Sequence, residues 1–418
     1  MSVSAAIETF IDNIDASAAA YLDACVHCGQ CAEACHFYET TGDVRYTPVW
    51  KLEPMRRVYK RHKAPLSGIK KMFGLVPDEV SEEMLKDWEE LIYDSCTLCG
   101  RCTIVCPMGI DIAGLVRKSR EAMVAAGLVP EGLTGAAERA IEFGSPLGIK
   151  PETLAKIVGE QAEEVGIPIE LDKVGADYMI ILSAMEILNF YEVIGALARI
   201  FKQAGVSWTI STDAYEATNV GIQMGDKNVA RTLVQRIVDA AEKLQVKYVV
   251  SPECGHAYSA LNWEGPNLVG KKYGFQVIHI LELLDQLVGE GRIKTKAERD
   301  QRRVTFHDPC QIVRRGGIVQ QPRNLLNLVN GNFIEMENAG VANICCGGGG
   351  GVSANARAEK LRINSFGAKK KQLDAVKPEA LVTACGNCRN VLEEAIDEYE
   401  MDLPVLGLTE LVAEYLDD

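Results

Sequence analysis

Two cysteine runs of one shape constrain this chain more than any other feature: CVHCGQCAEAC from Cys25 to Cys35 and CTLCGRCTIVCP from Cys96 to Pro107. Each sets four thiols at C-x2-C-x2-C-x3-C spacing, close enough to turn toward common centres. Gly29 and Gly100 stand where the backbone has to wrap tightly, and Pro107 ends the second loop by removing a donor. Zinc is the plain alternative, but zinc sites usually take two separate C-x2-C pairs rather than a continuous run of four.

This spacing resembles that of bacterial-type ferredoxins, in which three close thiolates serve one [4Fe–4S] cube and the fourth reaches across to the other. The resemblance implies two cubane [4Fe–4S] clusters. One would rest on Cys25, Cys28, Cys31 and Cys106, the other on Cys96, Cys99, Cys102 and Cys35.

A chain of 418 residues, 47% of them hydrophobic, can bury a sizeable core, and ordinary domain sizes suggest about two or three units. Its 14 cysteines, without a secretory leader, argue against a disulfide framework. The opening stretch MSVSAAIETFIDNIDASAAAYLDAC mixes acidic with apolar residues and lacks a basic n-region, so it reads as an amphipathic helix and the expected compartment is the cytoplasm. No apolar run approaches the roughly 20 residues that span a bilayer. A formal net charge of −14 argues against nucleic acid as a ligand, because binding it rests on Lys and Arg neutralising phosphates.

One segment reverses that charge locally. KLEPMRRVYKRHKAPLSGIKK, between the cysteine runs, gathers Lys51, Arg56, Arg57, Lys60, Arg61, Lys63, Lys70 and Lys71. Met55, Val58, Tyr59, Leu66, Ile69, Met72 and Phe73 are interleaved with or follow these charges. The segment reads either as a docking surface or interfacial anchor, or as a solvated helical face over core residues.

Past Cys106 the pattern stays helical to about residue 165, with Gly127 placed as a stop. From Asp177 on, short apolar runs alternate with helical stretches: YMIILS, VSWTIS, KYVVSP, RVTFHD and ALVTAC. That alternation predicts parallel sheet covered by helices. The units come twice: Cys254 stands opposite Cys385, Ala257 opposite Cys388, and Glu282 opposite Glu410. The expected fold is therefore α+β and multidomain. A helical two-cluster ferredoxin-like domain (1–165) precedes two duplicated Rossmann-like α/β lobes, a degenerate one at 170–295 and a cysteine-bearing one at 300–418.

The second lobe holds five thiols: Cys310 in HDPCQ, Cys345 and Cys346 in CCGGGGG, and Cys385 and Cys388 in CGNC. Each follows a predicted strand, at the carboxyl edge where open α/β sheets place ligands. Adjacent cysteines do not easily share one iron but can bridge neighbouring irons. The glycine run, Gly347 and Gly348 foremost, would let a bulky core or substrate approach the backbone. No Lys-Ser/Thr follows it and no G-x-G-x-x-G opens a helix, which argues against a phosphate loop. Neither a flavin nor an NAD motif is present. His307, His256 and His279 fall at strand ends and could donate protons. His307 is three residues from Cys310. Cys254 reads as a buried remnant. Arg314 and Arg315 could orient an anionic substrate tail or pair with surface acids.

Over nearly its whole length the chain resembles the CCG-domain iron–sulfur proteins, most closely the family of the catalytic subunit of membrane-linked heterodisulfide reductase, with the DsrK-type and Tmc-type membrane redox-complex subunits at least as similar. The resemblance implies a noncubane [4Fe–4S] cluster on Cys310, Cys345, Cys346, Cys385 and Cys388, where disulfides are cleaved. In the first lobe Ser183 stands near where Cys310 falls and STDAYEAT replaces the Cys pair, so a single noncubane cluster is expected. The implied activity is a thiol/disulfide oxidoreductase of sulfur-based energy metabolism. It would be peripheral on the cytoplasmic face of the inner membrane, with a membrane cytochrome b-type subunit and quinone on one side and a disulfide, trisulfide or thiol, or a small sulfur-carrier protein, on the other. An electron-transfer subunit of a flavin dehydrogenase of glycolate, lactate or glycerol 3-phosphate is the alternative, and a non-enzymatic scaffold or redox sensor a third.

Overall fold

The computed structural model describes residues 1–417 and divides into two compact units. The first comprises Met1–Thr134, Gly221–Lys227 and Gly347–Lys369, and the second comprises Gly135–Val220, Asn228–Cys346 and the chain from Lys370 on.

The first unit is helical. Helix Val3–Asn13 is capped by the Ser2 hydroxyl and buries Ala6 and Phe10, as its amphipathic pattern requires. It packs along Ile112–Ala126, a helix capped by Asp111 and ended by Gly127 at φ +73°. Only glycine takes that left-handed stop without strain, so the predicted end of this helix is borne out. Helix Glu82–Asp94 adds Trp88, whose ring meets Phe10 edge-on at 6.1 Å. No helix among the described residues is long and apolar enough to cross a membrane.

The second unit carries two small parallel sheets. Strands β1 (Tyr178–Ile180), β2 (Trp208–Ile210), β3 (Tyr248–Ser251) and β4 (Gln276–His279) lie in the order β2-β1-β3-β4, and β5 (Val304–His307), β6 (Ala380–Thr383) and β7 (Val405–Gly407) in the order β5-β6-β7. All these strand pairings are parallel. Every residue of β5 and β6 is buried, as in parallel strands covered on both faces. A further parallel bridge joins Val304 to Phe333, so Phe333 stands to β5 as Trp208 stands to β1. The sheets share one core that includes Ile180, Phe201, Val250, Leu284, Phe306, Leu325, Val382 and Leu411. Helix Pro151–Val165 packs against Glu192–Ala204 in this unit.

Candidate metal centres

In the first unit the two cysteine runs fold alike. His27 and Leu98, third in each run, both take the left-handed conformation, at φ +56° and +54°, and Gly29 and Gly100 follow at +83° and +77°. Holding an L side chain there costs about 1 kcal/mol, and such strain gathers at functional loops. Each run then turns through one short helix, Gln30–Glu33 or Arg101–Ile104.

Two small cavities result. One is lined by Cys25, Cys28, Cys31 and Cys106, the other by Cys35, Cys96, Cys99 and Cys102. The fourth thiol of each run thus lines the other run's cavity. Burial pushes the Cys31 thiol up to about 11 and raises Cys96 and Cys102 as well. Only a cation would hold such sulfurs as thiolates, and four soft sulfur donors against apolar walls fit an iron–sulfur core.

Lys51 belongs to the second cavity and not to the basic surface in which its sequence neighbours place it. It is 3% exposed, its Nζ lies 3.4 Å from Cys35 Sγ, and it donates to the Ser95 carbonyl. Burial works against its charge, but Cys35, Cys96 and Cys102 outweigh that and hold it above its ordinary value. Arg120, fully buried, donates to the carbonyls of Cys96 at 2.7 Å and Gly350 at 2.5 Å. Gly350 also explains part of the glycine run. A Cβ there would sit 2.7 Å from the Thr97 backbone, and one on Gly351 would be 2.7 Å from the Leu133 side chain. Those two glycines make room for protein. Gly347, at φ +95°, packs on Ser365.

The basic segment divides. Met55, Val58 and Tyr59 are core, Arg61 pairs with Glu79 at 2.6 Å, and Arg56 pairs with Glu53. Leu66, Ile69, Met72, Phe73 and Leu75 are all exposed, Met72 by 75% and Phe73 by 66%, with Lys70 and Lys71 among them.

In the second unit the five remaining thiols come from three loops. Cys310 follows β5 and opens a π-helical turn, Gln311–Arg315. Cys385 follows β6 and precedes helix Gly386–Glu398, whose first turn carries Cys388. All five, Cys345 and Cys346 included, are at most 5% exposed. Cys346 and Cys388 lie 3.3 Å apart, sulfur to sulfur, and a ring nitrogen of His307 lies within 4.8 Å of both. Hydrogen bonds from the Cys388 thiol and from the backbone N–H groups of Cys388, Gly255 and Asn387 hold Cys385 below its ordinary value despite its burial.

An ion pair with no signature in the sequence pins the loops. Asp308 accepts from Arg323 at 2.8 Å and from Gly340 N–H at 2.7 Å, and its carbonyl accepts from Asn343. Arg314 donates to the carbonyls of Val341 at 3.0 Å and Asn343 at 3.1 Å. Its guanidinium is therefore committed to fixing the chain that leads to Cys345 rather than to a substrate tail. His279 is also reassigned. Burial drives it down to about 3, and its Nδ1 accepts from Leu281 N–H, so it is a neutral helix cap and no proton donor near neutrality. Ser183 caps helix Ala184–Leu188 in a box with Glu186. Cys254, 4% exposed, stands before helix Gly255–Tyr258 at φ −150°, as Cys385 stands at −155° before its own helix.

Residues 304–393 match the cysteine-rich domain family CCG, and residues 21–110 match the 4Fe-4S dicluster domain. The chain carries a CCG domain and a 4Fe-4S dicluster domain. Its similarity to curated proteins runs nearly end to end. It is 28% identical to the Hdr-like menaquinol oxidoreductase iron-sulfur subunit 2 of Archaeoglobus fulgidus, over 95% of this chain and 80% of the relative. It is also 28% identical to a subunit of the dihydromethanophenazine:CoB–CoM heterodisulfide reductase of Methanosarcina barkeri, over 94% of each. The EtfAB:quinone oxidoreductase of Syntrophomonas wolfei matches at 28% over 91% of this chain and 56% of that protein. These relatives are oxidoreductases or subunits of oxidoreductases.

Proposed function

We propose that the chain is the disulfide-handling iron–sulfur subunit of a membrane-associated redox complex. The observation that carries this reading is the buried thiol pocket at the ends of β5 and β6, where Cys346 and Cys388 approach to 3.3 Å beside His307. Cys310, Cys345, Cys346, Cys385 and Cys388 would hold a noncubane [4Fe–4S] cluster, and the two four-thiol cavities a cubane each. Bound there, such clusters supply single electrons and an iron site for sulfur. Cleaving RS–SR′ consumes two electrons and two protons and yields RSH and R′SH. One electron from each cubane balances the first requirement, and the His307 imidazole can pass protons to the leaving sulfur. Reversal oxidises two thiols.

The two sheets are read as one Rossmann-like lobe used twice. The Val304–Phe333 bridge, the shared strand order and the matching conformations of Cys254 and Cys385 support it. The boundaries 1–165, 170–295 and 300–418 follow the sequence periods. The names of the menaquinol and quinone oxidoreductases support a quinone-linked partner; a membrane cytochrome b-type subunit and a peripheral place on the cytoplasmic face of the membrane are part of the proposal itself.

A second reading has one observation behind it. The similarity to an EtfAB:quinone oxidoreductase favours a conduit between a flavoprotein and quinone. Anaerobic iron and sulfide analysis with EPR, before and after adding a disulfide or thiol, separates the two. About twelve irons and a new signal evoked by the thiol couple are expected from the first. About eight irons and no response would overturn it in favour of the conduit.

A further inference from the structure

The two four-thiol cavities differ in one respect that thiol spacing cannot supply. The cavity of Cys25, Cys28, Cys31 and Cys106 is walled by Val26, Val49, Leu52, Met108, Ile110 and Ile112, with His27 at its edge bonded to Arg56, and among the described residues no Lys, Arg, Asp or Glu lines it. The cavity of Cys35, Cys96, Cys99 and Cys102 is lined by the buried Lys51. The Lys51 ammonium is fixed on three sides: 3.4 Å from Cys35 Sγ, bonded to the Ser95 carbonyl, and 5.4 Å from the Phe37 ring centroid.

We propose that Lys51 sets the reduction potential of the cluster on Cys35, Cys96, Cys99 and Cys102, making it the more easily reduced of the two cubanes and the one on which an arriving electron rests. The proposal rests on the ligand sets put forward above. A cubane with four thiolates is an anion in both redox states, and reduction adds a further negative charge. Inside protein, where water does not screen, a cation against a ligand sulfur stabilises the reduced state more than the oxidised one, and an N–H···S bond acts in the same direction. Solvent near the exposed Cys28 raises the potential of the other cluster, but bulk water screens charge without placing a full charge at a ligand. Arg120 reinforces the asymmetry through the Cys96 carbonyl at 2.7 Å. Lys51 is a positioning residue in this scheme and touches no substrate.

The test is an EPR-monitored redox titration of the anaerobically purified full chain and of Lys51→Met, Lys51→Gln and Lys51→Arg. Lys51→Met is expected to make one cubane's reduction equilibrium at least about tenfold less favourable, about 59 mV for one electron, and to leave the other cubane and the iron content unchanged. Lys51→Arg should restore most of the shift. If Lys51→Met loses iron, Lys51→Gln against Lys51→Arg carries the comparison. Equal potentials in a charged and a neutral variant that both retain iron, or equal displacement of both cubanes, would overturn the proposal. Wild-type iron content reads the ligand sets separately, so their failure is not mistaken for a failure of the role of Lys51.

Discussion

Truncating Arg323 would strand the Asp308 carboxylate, 1% exposed, away from water and its counter-charge. Breaking a buried pair from one side costs about 3–5 kcal/mol. Arg323→Met is therefore expected to lower the unfolding midpoint in urea and to loosen the loop that delivers Cys345 and Cys346; an unchanged midpoint would contradict this. Glu216 provides a pH test. Burial lifts its carboxyl to about 8, although the N–H groups of Ala184 and Thr218 bond to it. In the unfolded chain it titrates near 4.5. Between those values the native state binds the extra proton, so stability falls as pH rises through that window, by at most about 1.4 kcal/mol per unit. Glu216→Gln cannot ionise and should flatten that slope in melts at pH 5 and pH 7.5; an identical slope would refute the assignment. Under the proposed mechanism, His307→Gln should slow turnover while iron content stays at the wild-type level. Wild-type turnover across the pH range would remove His307 from it.

At the scale of elements, the segment from Leu66 to Leu75 is the part of the basic stretch left free to meet a membrane or an apolar partner, since Met55, Val58 and Tyr59 are core. Burying a Met or Phe side chain stabilises by about 1.5–3 kcal/mol. Met72→Glu with Phe73→Glu should thus weaken recovery with the membrane fraction by at least about tenfold, and unaltered co-sedimentation would count against a docking role. Periodicity exposes most of the strands: β1, β2, β3, β5 and β6 all fall within apolar runs, while the crossing of Cys35 and Cys106 is what the ferredoxin resemblance implies. Lys51 escapes such a reading because a buried ammonium and a solvated one look the same in a charge run. The Asp308–Arg323 pair joins residues 15 apart, a separation with no local signature. Gly350 and Gly351 mislead because close packing against protein and close approach of a ligand call for the same residue.

At the scale of the molecule, the crossed lining of the two four-thiol cavities governs how the chain can be loaded with iron. Cys35 leaves the first run for the second cavity and Cys106 returns the exchange, so filling either cavity orders a segment of both runs. The entropy of fixing His27, Leu98 and their neighbours is then spent largely on the first cluster to arrive, and the second meets a site already shaped for it. Assembly should approach all-or-none, with native mass spectrometry of partially loaded protein showing empty and doubly loaded species in excess of singly loaded ones.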